Sequence, residues 1–161
     1  MRTAEKICTR PEARTRIEAW QAQGDQIVFT NGCFDIMHLG HVDYLEKARA
    51  KGQRLIVALN DDASVRRLKG EKRPIVPAYP RMRMLASLAF VDLVVLFEED
   101  TPEKVIEELK PNILVKGSDY AISNIVGASF VIAQGGKVET IDLVDGFSTT
   151  NLIEKIREAY I

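Results

Sequence analysis

Cysteine is scarce in this chain. Cys8 and Cys33 are its only two, with no CxxC pair, which excludes a disulfide framework and argues against a zinc site. No apolar run approaches the roughly 18 residues that a membrane span needs. The opening Met1-Arg2-Thr3-Ala4-Glu5 leads into a polar stretch rather than the apolar core of a signal peptide. Charge of neither sign is in excess: 22 Lys and Arg against 23 Asp and Glu leave a net charge of −1. So small a field does not draw a protein to nucleic acid or to an anionic membrane. Internal repeats, low-complexity tracts and linkers are also missing. The expectation is a soluble, cytoplasmic protein with no nucleic-acid or membrane partner.

What is present is core. With 46% hydrophobic residues over 161 positions, one domain spanning 1–161 can bury enough surface to fold without staples. Short apolar runs alternate with amphipathic ones. The pattern predicts strands at 26–30, 54–59, 91–97, 113–115 and 137–141. It predicts helices at 12–23, 39–51, 62–68, 80–89, 102–109, 123–134 and 149–160, with Pro80 near the first helical position of its segment. Gly70, Pro74 and Pro77 make 69–79 a loop. Strands this apolar, separated by helices, predict a doubly wound, Rossmann-like α/β domain with a mainly parallel five-stranded sheet. In such sheets ligands bind at the carboxyl ends of the strands, near the point where strand order reverses. That directs attention to 30–38, 60–63 and 116–120.

The first of these segments reads Thr30-Asn31-Gly32-Cys33-Phe34-Asp35-Ile36-Met37-His38-Leu39-Gly40-His41. Gly32 permits a tight turn at the strand end. His38 and His41, the only histidines of the chain, stand at i, i+3, so an opening helical turn puts both imidazoles on one face. The free N–H groups of that turn favour a bound anion, and Gly40 lets a ligand approach the backbone. A metal pair is the competing reading, but no acidic or Cys partner stands at helical spacing, and Asp35 is free to cap the helix instead. Cys33 has no general base near it in sequence and reads as a packing residue rather than a nucleophile.

Gly32-Cys33-Phe34-Asp35 followed by His38-x-Gly40-His41 resembles the cytidylyltransferase-like branch of the HxGH nucleotidyltransferases. Lys116-Gly117-Ser118-Asp119-Tyr120 and Gly146-Phe147-Ser148-Thr149-Thr150 are similar to two further motifs of that branch, in the same order, and with Asn60-Asp61-Asp62 and Lys69-Gly70-x-x-Arg73-Pro74 the likeness spans 27–156. The resemblance implies that Thr30, Asn31, Gly32, Cys33 and Phe34 wrap nucleotide phosphates and ribose, largely through backbone groups. It implies that His38, His41 and Lys116 stabilise charge during transfer, with Gly40 making room. Gly117, Asp119 and Tyr120 hold the base and ribose side, with Phe147 near the base. Ser148, Thr149 and Thr150 open the last helix on the β- and γ-phosphates, where simple capping is the alternative. Asp35, Asn60, Asp61, Asp62, Lys69 and Arg73 fall to the acceptor, although helix capping competes for Asp61 and Asp62 and a solvated charge run for Lys69 and Arg73. Arg81 matches a phosphate-contacting family arginine, but Pro80 stands where the family often has an acid, which makes Arg83 a rival. Ser118 replaces a common glycine.

Within this branch the motifs are similar to those of enzymes that transfer AMP from ATP to D-glycero-β-D-manno-heptose 1-phosphate, giving ADP-heptose for lipopolysaccharide. A homodimer or higher homo-oligomer, ATP and a sugar phosphate as partners, and Mg²⁺ accompanying ATP follow from that resemblance, with no dedicated protein metal site. Glycerol 3-phosphate with CTP, and a nucleotide-binding regulator without turnover, remain as alternatives at this point. The sugar phosphate is already ionised, so the expected reaction is an in-line displacement that needs alignment and charge stabilisation rather than a base.

Overall fold

The computed structural model describes residues 2–161. Five strands, β1 (Ile27–Gly32), β2 (Arg54–Asn60), β3 (Leu93–Phe97), β4 (Ile113–Gly117) and β5 (Lys137–Ile141), form one sheet in the order β3-β2-β1-β4-β5. Every pairing is parallel. The chain winds outward from β1 to β3, then crosses back to β4, so the strand order reverses between β1 and β4. Around the sheet lie α1 (Arg10–Ala22), α2 (Leu39–Arg49), α3 (Asp62–Lys69), α4 (Ala78–Ser87), α5 (Glu103–Leu109), α6 (Ala128–Ala133) and α7 (Thr149–Tyr160). This is the doubly wound parallel architecture that the apolar strands predict. No helix of the described residues is long and apolar enough to cross a membrane.

Alternation along the strands divides the core in two. Phe29, Ile56 and Leu114 pack against Ala13 and Ile17 of α1, Val105 and Ile106 of α5 and Val131 of α6. Val28, Leu55, Val57 and Val115 pack on the other face against Leu45 of α2 and Leu85 of α4. Both faces of the central strands are thus dry, which is why their sequences run apolar without alternating.

Several element bounds differ from the sequence reading, each for a local reason. Helix α1 begins at Arg10 rather than 12, because Thr9 caps it and exchanges bonds with Glu12 in a capping box. Helix α4 begins at Ala78, which leaves Pro80 in its first turn, where a missing N–H costs nothing. The single helix expected over 123–134 is a 3₁₀ turn at Ile122–Asn124 followed by α6. Gly127 separates them at φ 84°, and a Cβ there would lie 2.6 Å from Ile106 Cδ1. Strand β3 begins at Leu93 because the Asp92 carboxylate takes the Leu55 N–H at 2.8 Å, ending the ladder. Before α1, Thr3–Lys6 forms a 3₁₀ turn and Ile7 bridges to Val94, an edge contact absent from the sequence reading.

Strands β1 and β4 hydrogen-bond only at Val28–Ile113 and Phe29–Leu114. Beyond that point both run on, to Gly32 and Gly117, paired to β2 and β5 but not to each other. The sheet therefore opens at its carboxyl edge where strand order reverses, and the functional residues collect there.

Candidate active site

A cleft of about 610 Å³ occupies this opening. Its base is held together by side chains rather than by ladder bonds. The Tyr44 hydroxyl, from α2, shares a hydrogen bond with Thr30 Oγ1 at 2.8 Å and donates to the Val115 carbonyl at 3.1 Å. Lys116 Nζ donates to the Asn31 carbonyl at 3.2 Å. Thr30 is thereby a buried structural link, and its side chain lies outside the cleft lining.

His38 is the N-cap of α2 in extended conformation, and its side chain makes no cap bond. The first N–H groups of the helix are consequently free toward the cleft. His38 and His41 do share a face, and their rings stack at 3.7 Å between centroids with 22° between planes. Phe34 packs edge-on to His41 at 5.1 Å, from a backbone φ of 44° that few non-glycine residues adopt. A Cβ on Gly32 would sit 2.9 Å from that phenyl ring, and one on Gly40 would sit 3.0 Å from the His38 ring and 3.2 Å from Phe147 Cβ. Glycine at both positions is what lets the rings close on the backbone.

Burial sets the electrostatics. Desolvation, with the neighbouring His38 adding to it, lowers His41 to about 4, and desolvation lowers His38 as well. The pair is neutral at physiological pH, with both Nδ1 atoms buried and unpartnered. Desolvation also brings Lys116 down to about 8, against the opposing pull of Cys33 and Asp119. Burial raises the Cys33 thiol, which keeps it protonated. Lys69, Arg73 and Lys116 face the cleft, and of its three carboxylates Asp35 and Asp100 are already paired with Arg73 and Arg67.

At the far end of the sheet, Asp119 folds back over Gly117, where a Cβ would meet its Oδ1 at 2.5 Å. Lys116 Nζ lies 5.6 Å from the Tyr120 ring centre. Ser148 caps α7 by accepting the Asn151 N–H at 3.0 Å. Ser148, Thr149 and Thr150 line the cleft, as does the exposed Phe147. Capping and a cleft-facing position coincide here. Two helix N-termini, those of α2 and α7, converge on one space.

The acceptor-side expectations need correction. Asp61 caps α3 by accepting the Ser64 N–H at 2.7 Å, and neither it nor Asp62 lines the cleft. Asp62 pairs with Arg81 at 2.7 Å. Arg81, expected on phosphate, is 1% exposed and also outside the lining. Its guanidinium donates to the carbonyls of Val76, Cys33 and Asn60 at 2.8, 2.7 and 3.0 Å. It is a buried rivet between the turn after β1, the end of β2 and the loop before α4. The rival Arg83 bonds Tyr79 and Thr3 on the outer surface.

Asp35 borders the cleft, but its carboxylate is spent on the same loop: it accepts the N–H groups of Ile75 and Val76 at 2.8 Å each and pairs with Arg73. Burial opposes its ionisation, yet those donors outweigh burial and hold it below the usual carboxylate value. Asn60 lines the cleft and donates to Ser64 Oγ at 2.9 Å. Lys69 and Arg73 do face the cleft. The sequence reading missed Thr101, Pro102, Asn124, Val126, Leu143 and Val144, all of which line it. The carboxyl-end rule, applied to the strand 91–97, points to Thr101 and Pro102; the others carry no local signal.

Residues 29–155 match the cytidylyltransferase-like family. The chain belongs to that family. Among its relatives is the bifunctional protein HldE of Azotobacter vinelandii, 60% identical over 88% of this chain and 30% of that protein. The bifunctional protein HldE of Pelobacter propionicus is 54% identical over 96% of this chain and 32% of its own length. The chain therefore spans about a third of the curated relatives it matches. A lipopolysaccharide core biosynthesis protein from Thermoplasma volcanium superposes with a TM-score of 0.60 at 31% identity, over 75% of this chain and 98% of that one. A pantothenate synthetase from Thermus thermophilus shares the fold at a TM-score of 0.65, with 15% identity over 96% of this chain and 70% of that one. The cytidylyltransferase-like match contains both histidines, the 116–120 turn and the start of α7, so the family's region and the cleft coincide.

Proposed function

We propose that this chain transfers AMP from ATP to D-glycero-β-D-manno-heptose 1-phosphate, releasing pyrophosphate and ADP-heptose for lipopolysaccharide. The observation that carries the reading is convergence. The free N–H groups of α2 and α7 meet His38, His41, Lys69 and Lys116 in one cleft, and neither lysine is in an ion pair among the described residues. The choice of heptose is supported by the 53–60% identity to proteins named HldE over nearly the whole chain.

Mg²⁺ arrives as part of the substrate, MgATP, and neutralises phosphate charge there. The triphosphate lies along the α2 and α7 N-termini. An oxygen of the sugar phosphate attacks the α-phosphorus in line, the α–β bridging bond breaks, and its electrons leave with pyrophosphate. No proton need be removed from the attacking oxygen. His38, His41 and Lys116 are held in place before reaction and meet the charge that grows on the α-phosphate and the leaving group. Lys69 and Arg73 steer the acceptor phosphate. The bound polyanion raises the depressed pKa values of the histidines and of Lys116, so their protonation accompanies binding. The protein acts in the cytoplasm, where ATP is supplied, as a homo-oligomer.

Mass spectrometry of the product tests this. Purified protein given ATP, CTP and the heptose phosphate yields ADP-heptose, with ATP preferred at least about tenfold, the effect of roughly 1.4 kcal/mol. A CDP-linked product formed faster overturns the nucleotide assignment.

A further inference from the structure

Apart from Lys116 and the Asn31 backbone, one side of the cleft is left unused by the nucleotide machinery. In β1, Thr30 bonds Tyr44 on the α2 face, whereas Phe29 lies in the cluster with α1, α5 and α6. Alternation therefore places the Asn31 side chain on the α5 face, and the same count from Leu114 places Lys116 there. His38, His41 and the start of α7 lie on the opposite side, where Gly40 adjoins Phe147. On the α5 face the cleft is completed by Thr101 and Pro102, which precede α5, and by Asn124 and Val126 beside the 3₁₀ turn. Asn31 Oδ1 is buried there with no donor. A buried acceptor without a partner is costly, so a ligand that supplies the donor recovers that loss.

We infer that this is the pocket for the body of the acceptor sugar, with Asn31, Thr101 and Asn124 as its specificity-determining residues. The inference rests on the proposed transfer to a sugar 1-phosphate. The residue set fits a polyol. Amide and hydroxyl groups both donate and accept, as sugar hydroxyls do, while Pro102 and Val126 offer apolar surface to the C–H face of a ring. Asp100 at the rim is already paired with Arg67. A purine finds its flat apolar wall on the other side, at Leu143 and Phe147, which are 48% and 45% exposed. Lys116 stands between the two halves and reaches toward the phosphate that joins them. A sugar hydroxyl donates to Asn31 Oδ1, and further hydroxyls bond Thr101 and Asn124.

The test compares two acceptors, D-glycero-β-D-manno-heptose 1-phosphate and β-D-mannose 1-phosphate, which lacks the seventh carbon and its hydroxyl. Asn31→Ala, Thr101→Val and Asn124→Ala each raise KM for the heptose phosphate by about tenfold, the scale of one lost buried bond, and leave KM for ATP within about twofold. Where the missing hydroxyl met the altered residue, the heptose-to-mannose ratio of kcat/KM falls at least about fivefold, because deleting one partner removes the benefit of the other. The near-isosteric Thr101→Val keeps the test decisive should Asn31→Ala fold poorly. A ratio unchanged in all three variants, or a rise in KM for ATP alone, overturns the inference. No product from the wild type with any sugar 1-phosphate overturns the functional reading, and the inference with it.

Discussion

Two imidazoles stacked 3.7 Å apart repel each other once both are charged. In the folded protein His41 titrates near 4, far below an ordinary histidine near 6.5. Between those values the unfolded chain binds a proton that the folded one does not. Folding stability therefore falls as pH drops from about 6.5 toward 4, by up to about 1.4 kcal/mol per pH unit. Urea denaturation at several pH values shows that slope in the wild type, and His41→Asn flattens it. His38→Ala or His41→Ala lowers kcat by roughly 10²–10³ with circular dichroism unchanged, the scale of losing one preorganised charge-stabilising group. Near wild-type turnover in both variants removes them from the mechanism.

Lys116, brought down to about 8 by desolvation, is a buried cation that opposes folding at neutral pH. Lys116→Met relieves that penalty and raises Tm by roughly 2–4 °C per kcal/mol gained, while transfer activity collapses. On the proposed mechanism, bound ATP restores the proton to Lys116 in the wild type. Affinity for ATP then weakens as pH rises above 8, by up to about tenfold per unit. Lys69, Asp119 and Cys33 face it, and burial pushes the Cys33 thiol upward. Calorimetric titrations from pH 7 to 9.5 measure the slope, and its persistence in Lys116→Met assigns the proton elsewhere.

Elements carry effects that single residues conceal. Asp61 looks like an acceptor ligand from its place after β2, but it stabilises α3 through the Ser64 N–H. Asp61→Ala costs about 0.5–2 kcal/mol, as lost caps do, and leaves KM for the sugar phosphate within about twofold; thermal melts and steady-state assays check both. Asp35 and Arg81 act through the loop before α4. Asp35 grips Ile75 and Val76, while Arg81 joins Val76 to the carbonyls of Cys33 and Asn60. Arg81→Lys keeps the charge but not the fork, so it lowers Tm and affects both substrates together. A change confined to KM for ATP contradicts that positioning role.

At the scale of the molecule, the sheet opens because the β1–β4 ladder stops after Phe29 and Leu114. The gap is a property of the strand order. It explains why one cleft receives groups from β1, α2, β4 and α7, and from the segments before α5 and α6. Ile75, Tyr79 and Met84 are 54%, 58% and 52% exposed. Burial of such side chains is what a homo-oligomer provides, and sedimentation velocity at micromolar concentration reads a mass above that of one chain if the proposed assembly forms.

The linear sequence determined what depends on near neighbours. Apolar runs named the five strands, and the i, i+3 spacing put His38 and His41 on one face. The 116–120 and 146–150 segments were legible through their resemblance to two motifs of the family. Charge at Asp35, Asp61, Asp62 and Arg81 was equally visible, but its direction was not. Whether a guanidinium faces a phosphate or three carbonyls depends on which strands lie side by side, and that is settled by packing over tens of residues. Only the tertiary structure decided that Arg81 is enclosed, that Asp35 is spent on the 73–76 loop, and that Thr101, Asn124 and Val126 line one cleft with Asn31. Those four come from three separate stretches of chain, and no local periodicity couples them.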